Sequence, residues 1–229
     1  MKKIAVITGA SKGIGLSCAM KFIKKGYVVV DASRTESGKI KNKNYRFIKT
    51  DVSKEKDVRA MIESVINEFG RIDVLICNSG FGKFANLVDS TTKDFDSMFA
   101  VNVKGVYLSC RYALKSMLEK KSGTIIIISS IGGKNGVATA SIYSATKHAV
   151  IGLAKSLMAE VRTSNIRVVT VCPGSVDTEF FDQPGTILNS RRDTLLTPDD
   201  VAETCMLAAT LPQNALMNEI EIRPLNPRK

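Results

Sequence analysis

An apolar run, Lys3–Thr8, breaks into Thr8-Gly9-Ala10-Ser11-Lys12-Gly13-Ile14-Gly15 and continues with helical spacing at Ile14, Cys18, Ala19, Phe22 and Ile23. A strand that turns through glycines into a helix constrains the fold more than any other segment. Glycine permits the tight turn and the close approach of backbone to a ligand, and the helix N-terminus offers unpaired N–H groups and positive potential. The loop is therefore a candidate phosphate cradle. The spacing is G-x3-G-x-G, not the G-x-G-x-x-G of other dinucleotide folds.

The same alternation continues along the chain. Strands are expected at Tyr27–Ala32, Arg46–Thr50, Val74–Cys77, Thr124–Ser129, Arg167–Cys172 and Glu219–Ile222. Helical periodicity marks Val58, Met61, Ile62, Val65, Ile66 and Phe69, then about 92–120 and 141–163. Thr197-Pro198-Asp199-Asp200 caps a further helix, with Pro just inside its start. The polar segment 35–45 is too short for a full helix, so that crossover reads as a loop or a single turn. Strands this apolar are buried on both faces, as in parallel sheets. The expected fold is α/β: a doubly wound Rossmann architecture with a seven-stranded, mostly parallel sheet and helices on both faces. No linker splits residues 1–229 and no repeat is visible, so a single domain is expected.

Charge is the unusual part of the composition, with 33 Lys+Arg against 22 Asp+Glu. Residues 1–56 hold 14 basic and 4 acidic side chains, a balance of +10; residues 57–229 hold 19 and 18, a balance of +1. A nucleic-acid binder would need a basic stripe with a reading helix or aromatic platform, and no such motif appears. No stretch approaches the ~20 apolar residues of a membrane helix, and the N-terminus has no secretory pattern. The five cysteines are scattered without metal spacing, which fits a reducing cytoplasm. His148 is the lone histidine, so a His-based metal site or a Ser-His-Asp triad has one candidate at most; it reads as a structural or surface residue.

Read together, the motifs resemble the short-chain dehydrogenase/reductase family over nearly the whole chain. TGASKGIG resembles that family's cofactor loop. Asp51-Val52 follows strand three, where the family contacts adenine. Asn78-Ser79-Gly80 ends strand four; the family usually has NNAG, so Cys77 and Ser79 are departures. Asn102 lies in Val-Asn-Val-Lys-Gly. Ser129-Ser130 ends strand five, and thirteen residues on comes Tyr143-Ser-Ala-Thr-Lys147. Pro173-Gly174, Val176 and Thr178 follow strand six. The resemblance implies catalytic roles for Asn102, Ser130, Tyr143 and Lys147. It implies a dinucleotide held by Gly9, Ser11, Lys12, Gly13, Ile14, Gly15, Arg34, Asp51, Val52, Asn78, Ser79, Gly80, Tyr143, Lys147, Pro173, Gly174, Val176 and Thr178, with no metal.

The residue chemistry agrees. Tyr143 and Lys147 lie four apart on an expected helix and share a face. A phenol with pKa ≈ 10 is a poor base near neutrality, and a nearby ammonium would lower it. Tyr143 is thus the expected general acid/base and Lys147 its electrostatic partner, with Lys147 also holding the nicotinamide ribose by resemblance. Ser130, or its rival Ser129, would hydrogen-bond the substrate oxygen, the thirteen-residue gap favouring Ser130. Asn102 would hold a water in a relay toward Lys147, or brace a helix kink.

The choice of dinucleotide turns on strand two. Counted from Gly26, the position that is acidic in NAD-selective members falls on Ser33, and Arg34 follows. A small residue followed by Arg leaves room and charge for a 2′-phosphate, with Lys12 a second cation. NADP(H) is therefore preferred and NAD(H) possible; Asp31, two residues earlier, is the competing acid. The substrate side is less defined. Phe81, Phe84, Ile131-Gly132-Gly133 and the segment 175–196, with Phe180, Phe181 and Pro184, are candidate lining, the last as a lid. The expected function is NADP(H)-linked carbonyl reduction or alcohol oxidation. The ending Asn218–Pro224 resembles a carbonyl reductase and 3-hydroxy acid dehydrogenase subset. The alternatives are a 3-oxoacyl-carrier-protein reductase and a non-catalytic dinucleotide sensor. A homodimer or homotetramer through the two long helices is expected.

Overall fold

The computed structural model describes residues 2–182 and 191–227. All seven strands join one sheet: β1 (Ile4–Thr8), β2 (Val28–Ser33), β3 (Tyr45–Lys49), β4 (Val74–Cys77), β5 (Gly123–Ile128), β6 (Ile166–Pro173) and β7 (Glu219–Ile222). Their order is β3-β2-β1-β4-β5-β6-β7, and every pairing is parallel. The sheet is thus wholly parallel, where the sequence suggests mostly parallel. β1 and β4 are buried along their whole length, as continuous apolar runs require.

Six α-helices are described: α1 (Gly13–Lys24), α2 (Glu55–Phe69), α3 (Thr92–Phe99), α4 (Gly105–Lys120), α5 (Ser141–Val161) and α6 (Pro198–Thr210). Phe22 and Cys18 of α1 join Val201 and Cys205 of α6 in a core under one face of the sheet. Val58 and Met61 of α2, Leu108 and Met117 of α4 and Val150 and Leu157 of α5 form the core under the other. The β2–β3 crossover contains no helix, as its polar composition implies. The α6 start is a capping box: Thr197 accepts from the Asp200 N–H, and Asp200 accepts from the Thr197 N–H.

The long helical pattern at 92–120 is interrupted. Ala100–Lys104 is a π-helical turn between α3 and α4. Such turns mark functional positions in helices, and here the buried residue of the turn is Asn102. The strand order reverses between β1 and β4, which opens a crevice at their C-terminal ends. The glycine loop leaves one lip of that crevice and Asn78-Ser79-Gly80 the other.

Candidate active site

The glycine loop is held by side chains from neighbouring strands. Gly9 and Gly13 have φ of +71° and +54°, conformations that L side chains rarely adopt. The Asn78 side-chain amide donates to the carbonyls of Thr8 (3.1 Å) and Gly9 (2.9 Å). The Asn78 and Ser79 N–H groups both donate to Thr8 Oγ1. A Cβ on Gly15 would lie 2.2 Å from the Gly9 carbonyl oxygen, so only glycine lets α1 pack this close beneath the loop. The α1 N-terminus carries no side-chain cap and no acid in its first turn. Its N–H groups and positive end are open to an anion, with Ser11, Lys12 and Ile14 partly or fully exposed around it. On the opposite side, Thr178 Cγ2 lies 3.4 Å from where a Gly13 Cβ would be. The chain reaches that point from Pro173 at the end of β6. The Gly174 N–H donates to Ile222 (2.8 Å), and buried Val176 pairs with Leu196.

The end of β2 resolves the competition between Asp31 and Ser33. Asp31 is fully buried, and its carboxylate accepts from the Ala10 N–H (3.2 Å), the Tyr45 hydroxyl (2.8 Å) and the Ser33 hydroxyl. Burial pushes its pKa up, while the Ser33, Tyr45 and Ala10 hydrogen bonds pull it down. Asp31 therefore braces the glycine loop from within the sheet and is not a free acid at the rim. Arg34 is exposed at the strand's end, and its charge helps hold the Asp51 carboxyl below the usual range. Asp51 itself accepts from the N–H and hydroxyl of Ser53. Val52 is buried against the start of α4, where a Cβ on Gly105 would meet its Cγ2 at 2.9 Å.

Ser130, Tyr143 and Lys147 come together above β5. Ser130 Oγ and the Tyr143 ring both border Gly132, at 3.5 and 3.6 Å from where a Cβ would be, and Ser130 Oγ accepts from the Gly132 N–H (3.1 Å). Ser129 points the other way, donating to the Lys147 carbonyl (3.0 Å), so that Ser130 is the serine on the Tyr143 side. Lys147 Nζ donates to the Ile128 carbonyl (3.0 Å) and lies 5.6 Å from the Tyr143 ring centroid. The electrostatics depart from the sequence expectation. Burial pushes the phenol up to about 12, against a downward pull from Ser130. Burial likewise draws Lys147 down to about 8, because desolvation disfavours the ammonium. Desolvation is the largest influence on both groups.

Asn102 has its amide largely engaged. Its Nδ2 donates to the Phe81 carbonyl (2.9 Å) and to Thr146 Oγ1 (3.1 Å), and its Oδ1 accepts from the Phe81 N–H (3.0 Å). The side chain braces the π-turn against the loop after β4. Its Oδ1 and Lys147 Nζ both face Gly80, at 3.3 and 3.5 Å from where a Cβ would be. His148 is exposed, its Nδ1 against the Ser144 carbonyl.

Three rings converge on the substrate side. Phe84 and Phe180 lie 5.6 and 5.7 Å from the Tyr143 ring and 5.9 Å from each other. Phe181 packs on Phe180, whereas Phe81 serves through its backbone. Pro184 and part of the segment expected as a lid lie outside the described residues. Sequence reasoning missed Thr8, Tyr45 and Thr146 as hydrogen-bonding supports. Only Asp31, an acid inside the run Val28–Ser33, gave a signal that something in the strand needed a charge.

Among the described residues no cluster of three or more metal-ligating side chains occurs. The family model described as "short chain dehydrogenase" matches residues 3–186. An uncharacterised oxidoreductase of Staphylococcus aureus is 34% identical, with 97% of each chain covered. Among solved structures, ElxO with NADP bound is 33% identical with TM-score 0.87, covering 96% of this chain and 98% of that one. A closed form of serine dehydrogenase complexed with NADP+ is 28% identical with TM-score 0.89, covering 97% and 95%. A 3-ketoacyl-(acyl-carrier-protein) reductase from Brucella melitensis complexed with NADH is 29% identical with TM-score 0.86, covering 97% of each chain. The family model matches residues 3–186 and the Staphylococcus relative is matched over nearly its full length: this chain belongs to the short-chain dehydrogenase family.

Proposed function

We propose that the protein is an NADP(H)-dependent oxidoreductase that interconverts a carbonyl and a secondary alcohol, with Tyr143 as the general acid/base. The observation that carries this is the convergence of Ser130, Tyr143 and Lys147 above β5, with Ser130 Oγ and the Tyr143 ring flanking Gly132 and Lys147 Nζ 5.6 Å from the ring, at the end of the crevice that begins at the open α1 N-terminus. The cradle fits a dinucleotide. Gly9, Gly13 and Gly15 leave backbone room for a pyrophosphate, and no acid opposes it at the helix end. Arg34 and Lys12 are exposed cations at the adenosine end, and Asp31 is fully buried with its carboxylate accepting from Ala10, Ser33 and Tyr45. These favour NADP(H) over NAD(H). The excess positive charge of residues 1–56 supports this weakly through long-range steering.

When bound, the nicotinamide supplies or accepts the hydride. Ser130 and Tyr143 orient the substrate oxygen. In reduction the carbonyl carbon gains the hydride and its oxygen gains the Tyr143 proton. Lys147, buried with Asn102 Oδ1 across Gly80, is the local route for restoring that proton. A complete acid/base set argues against a dinucleotide sensor.

NADPH consumption measured with ketones, diketones, 3-oxo acids and thioesters tests the reading. Tyr143→Phe should lower kcat by about 10²–10⁴ with cofactor affinity retained; unchanged turnover would refute it. Reduction of a 3-oxoacyl thioester is the second reading, favoured by the likeness to the Brucella reductase. Turnover of such a thioester but not of simple ketones would select it. We also propose a homo-oligomer in a cytoplasmic setting. Phe95, stacked on Phe99, and Tyr107 are exposed on α3 and α4, where a second copy would cover them. No described helix is long and apolar enough to cross a membrane, and all five cysteines are free thiols.

A further inference from the structure

The loops around Tyr143 are rich in aromatic rings and have no uncommitted positive charge. Three segments border the phenol: 79–91 after β4, 130–140 after β5 and, after β6, the described residues 175–182 and 191–196. The sequence places four Lys or Arg in them: Lys83, Lys134, Arg191 and Arg192. Each one meets a carboxylate. Lys83 pairs with Asp94. Lys134 lies between Glu219 (2.8 Å) and Glu221 (2.9 Å). Arg191 reaches Asp193 (2.8 Å), and Arg192 holds both Asp177 (2.8 Å) and Asp182.

Exposed ion pairs are individually weak, so pairing alone would not keep these cations from a substrate. Stoichiometry does. Segment 175–196 contains four acids (Asp177, Glu179, Asp182, Asp193) and two bases, a local charge of −2. Residues 183–190 add no charge of either sign. A carboxylate or phosphate approaching the phenol from this side would meet net repulsion and no free guanidinium or ammonium. Lys147 offers no alternative, being buried behind the ring on the Ile128 carbonyl. The surface presented instead is the Phe84–Tyr143–Phe180 triangle.

We infer that the substrate is a neutral carbonyl compound carrying an aryl or similarly broad apolar group, which Phe84 and Phe180 select, and not a free oxo acid or phosphorylated compound. This rests on the hydride-transfer reading and narrows its substrate class. It also separates this chain from any relative that handles an amino acid or hydroxy acid.

Phenylglyoxylate and its ethyl ester test the charge, because both present the same ketone beside the same ring. Ethyl pyruvate tests the ring. NADPH consumption should show kcat/KM for the ethyl ester at least about tenfold above that for the acid anion, and above that for ethyl pyruvate. Phe84→Ala and Phe180→Ala should each lower the aryl-to-methyl ester ratio by up to about tenfold, the range of aromatic pair contacts. Thermal melting establishes that the variants fold. Calorimetry on the NADPH-bound protein should show benzamide binding more tightly than benzoate. Equal or better use of the acid, or an unchanged ratio in folded variants, overturns the inference and leaves hydride transfer standing. No consumption with any carbonyl overturns both.

Discussion

Asp31 offers the sharpest separation between a ligand-binding acid and a structural one. Asp31→Ala would leave the Ala10 N–H and the Tyr45 hydroxyl without their acceptor in a buried site; the Ser33 hydroxyl can rotate to another partner. Two orphaned donors at about 1–3 kcal/mol each give roughly 2–6 kcal/mol. Part of this is offset, because the carboxylate itself is penalised by burial, as its raised pKa shows. A net loss of about 2–4 kcal/mol is expected. Asp31→Asn should lose no more than about 1 kcal/mol, since Oδ1 can still accept from Ala10 and Ser33 while the Tyr45 hydroxyl turns to accept from Nδ2. The pH sign follows from the raised pKa. The native state holds this proton more tightly than the unfolded chain, so stability falls as pH rises through the window between the unfolded and folded values. The asparagine variant should lack that slope. Urea unfolding between pH 4 and 8 measures all three quantities. Because Ala10 belongs to the loop that either dinucleotide would use, Asp31→Ala should raise KM for NADPH and NADH by a common factor of about five. A loss confined to NADH in either variant would show that the carboxylate contacts a ribose, and the bracing argument would fail.

Arg34→Ala should raise KM for NADPH by about 10–100-fold and leave NADH nearly unchanged, since a bidentate phosphate contact contributes roughly 1.5–3 kcal/mol; equal losses would remove its 2′-phosphate role. Gly15→Ala must displace the Gly9 carbonyl or the Asn78 amide, which a Cβ would approach at 2.2 and 2.5 Å. A cost of about 1–3 kcal/mol and a dinucleotide affinity at least about tenfold weaker are expected by calorimetry, and wild-type binding would contradict the packing. Lys147, depressed to about 8, sheds its proton in the native state before the unfolded chain does. Relative to Lys147→Met, stability should therefore rise by roughly 2 kcal/mol between pH 8 and 10. A flat difference would mean that the ammonium is not desolvated.

What could be read from the sequence and what could not divides along a physical line. Periodicity reports which faces are apolar, so Val74–Cys77 and Glu219–Ile222 emerge with the same limits from pattern and from structure. The Thr197 capping box is equally local, its partners three residues apart. Motif spacing carried Ser130, Tyr143 and Lys147 because their positions on consecutive elements fix their approach. The interruption at Ala100–Lys104 was legible only as one of two readings of Asn102, since choosing between them depends on Asn102 reaching across to Phe81 and to Thr146 on another helix. The protonation balance was not legible either: burial raises the Tyr143 pKa and Ser130 lowers it, and only the packing says which is larger.

Asp31 and Asn102 make the same point about polar residues near a ligand crevice. Residue type says what a side chain is able to bind, but its hydrogen-bonding capacity is finite. Asp31 could have met a ribose, yet three donors from Ala10, Ser33 and Tyr45 already converge on it from the strand, the loop and β3. Asn102 could have held a water with either side-chain end, yet both of its N–H groups are committed, and its Oδ1 already accepts from Phe81. That oxygen keeps one further lone pair toward the Gly80–Lys147 side, so any water it holds must be accepted there. The two residues thus stiffen opposite lips of one crevice. That gives a physical reason why a neutral Asp31→Asn change should be tolerated, whereas removing the acceptor should loosen the pyrophosphate loop without altering which dinucleotide is preferred.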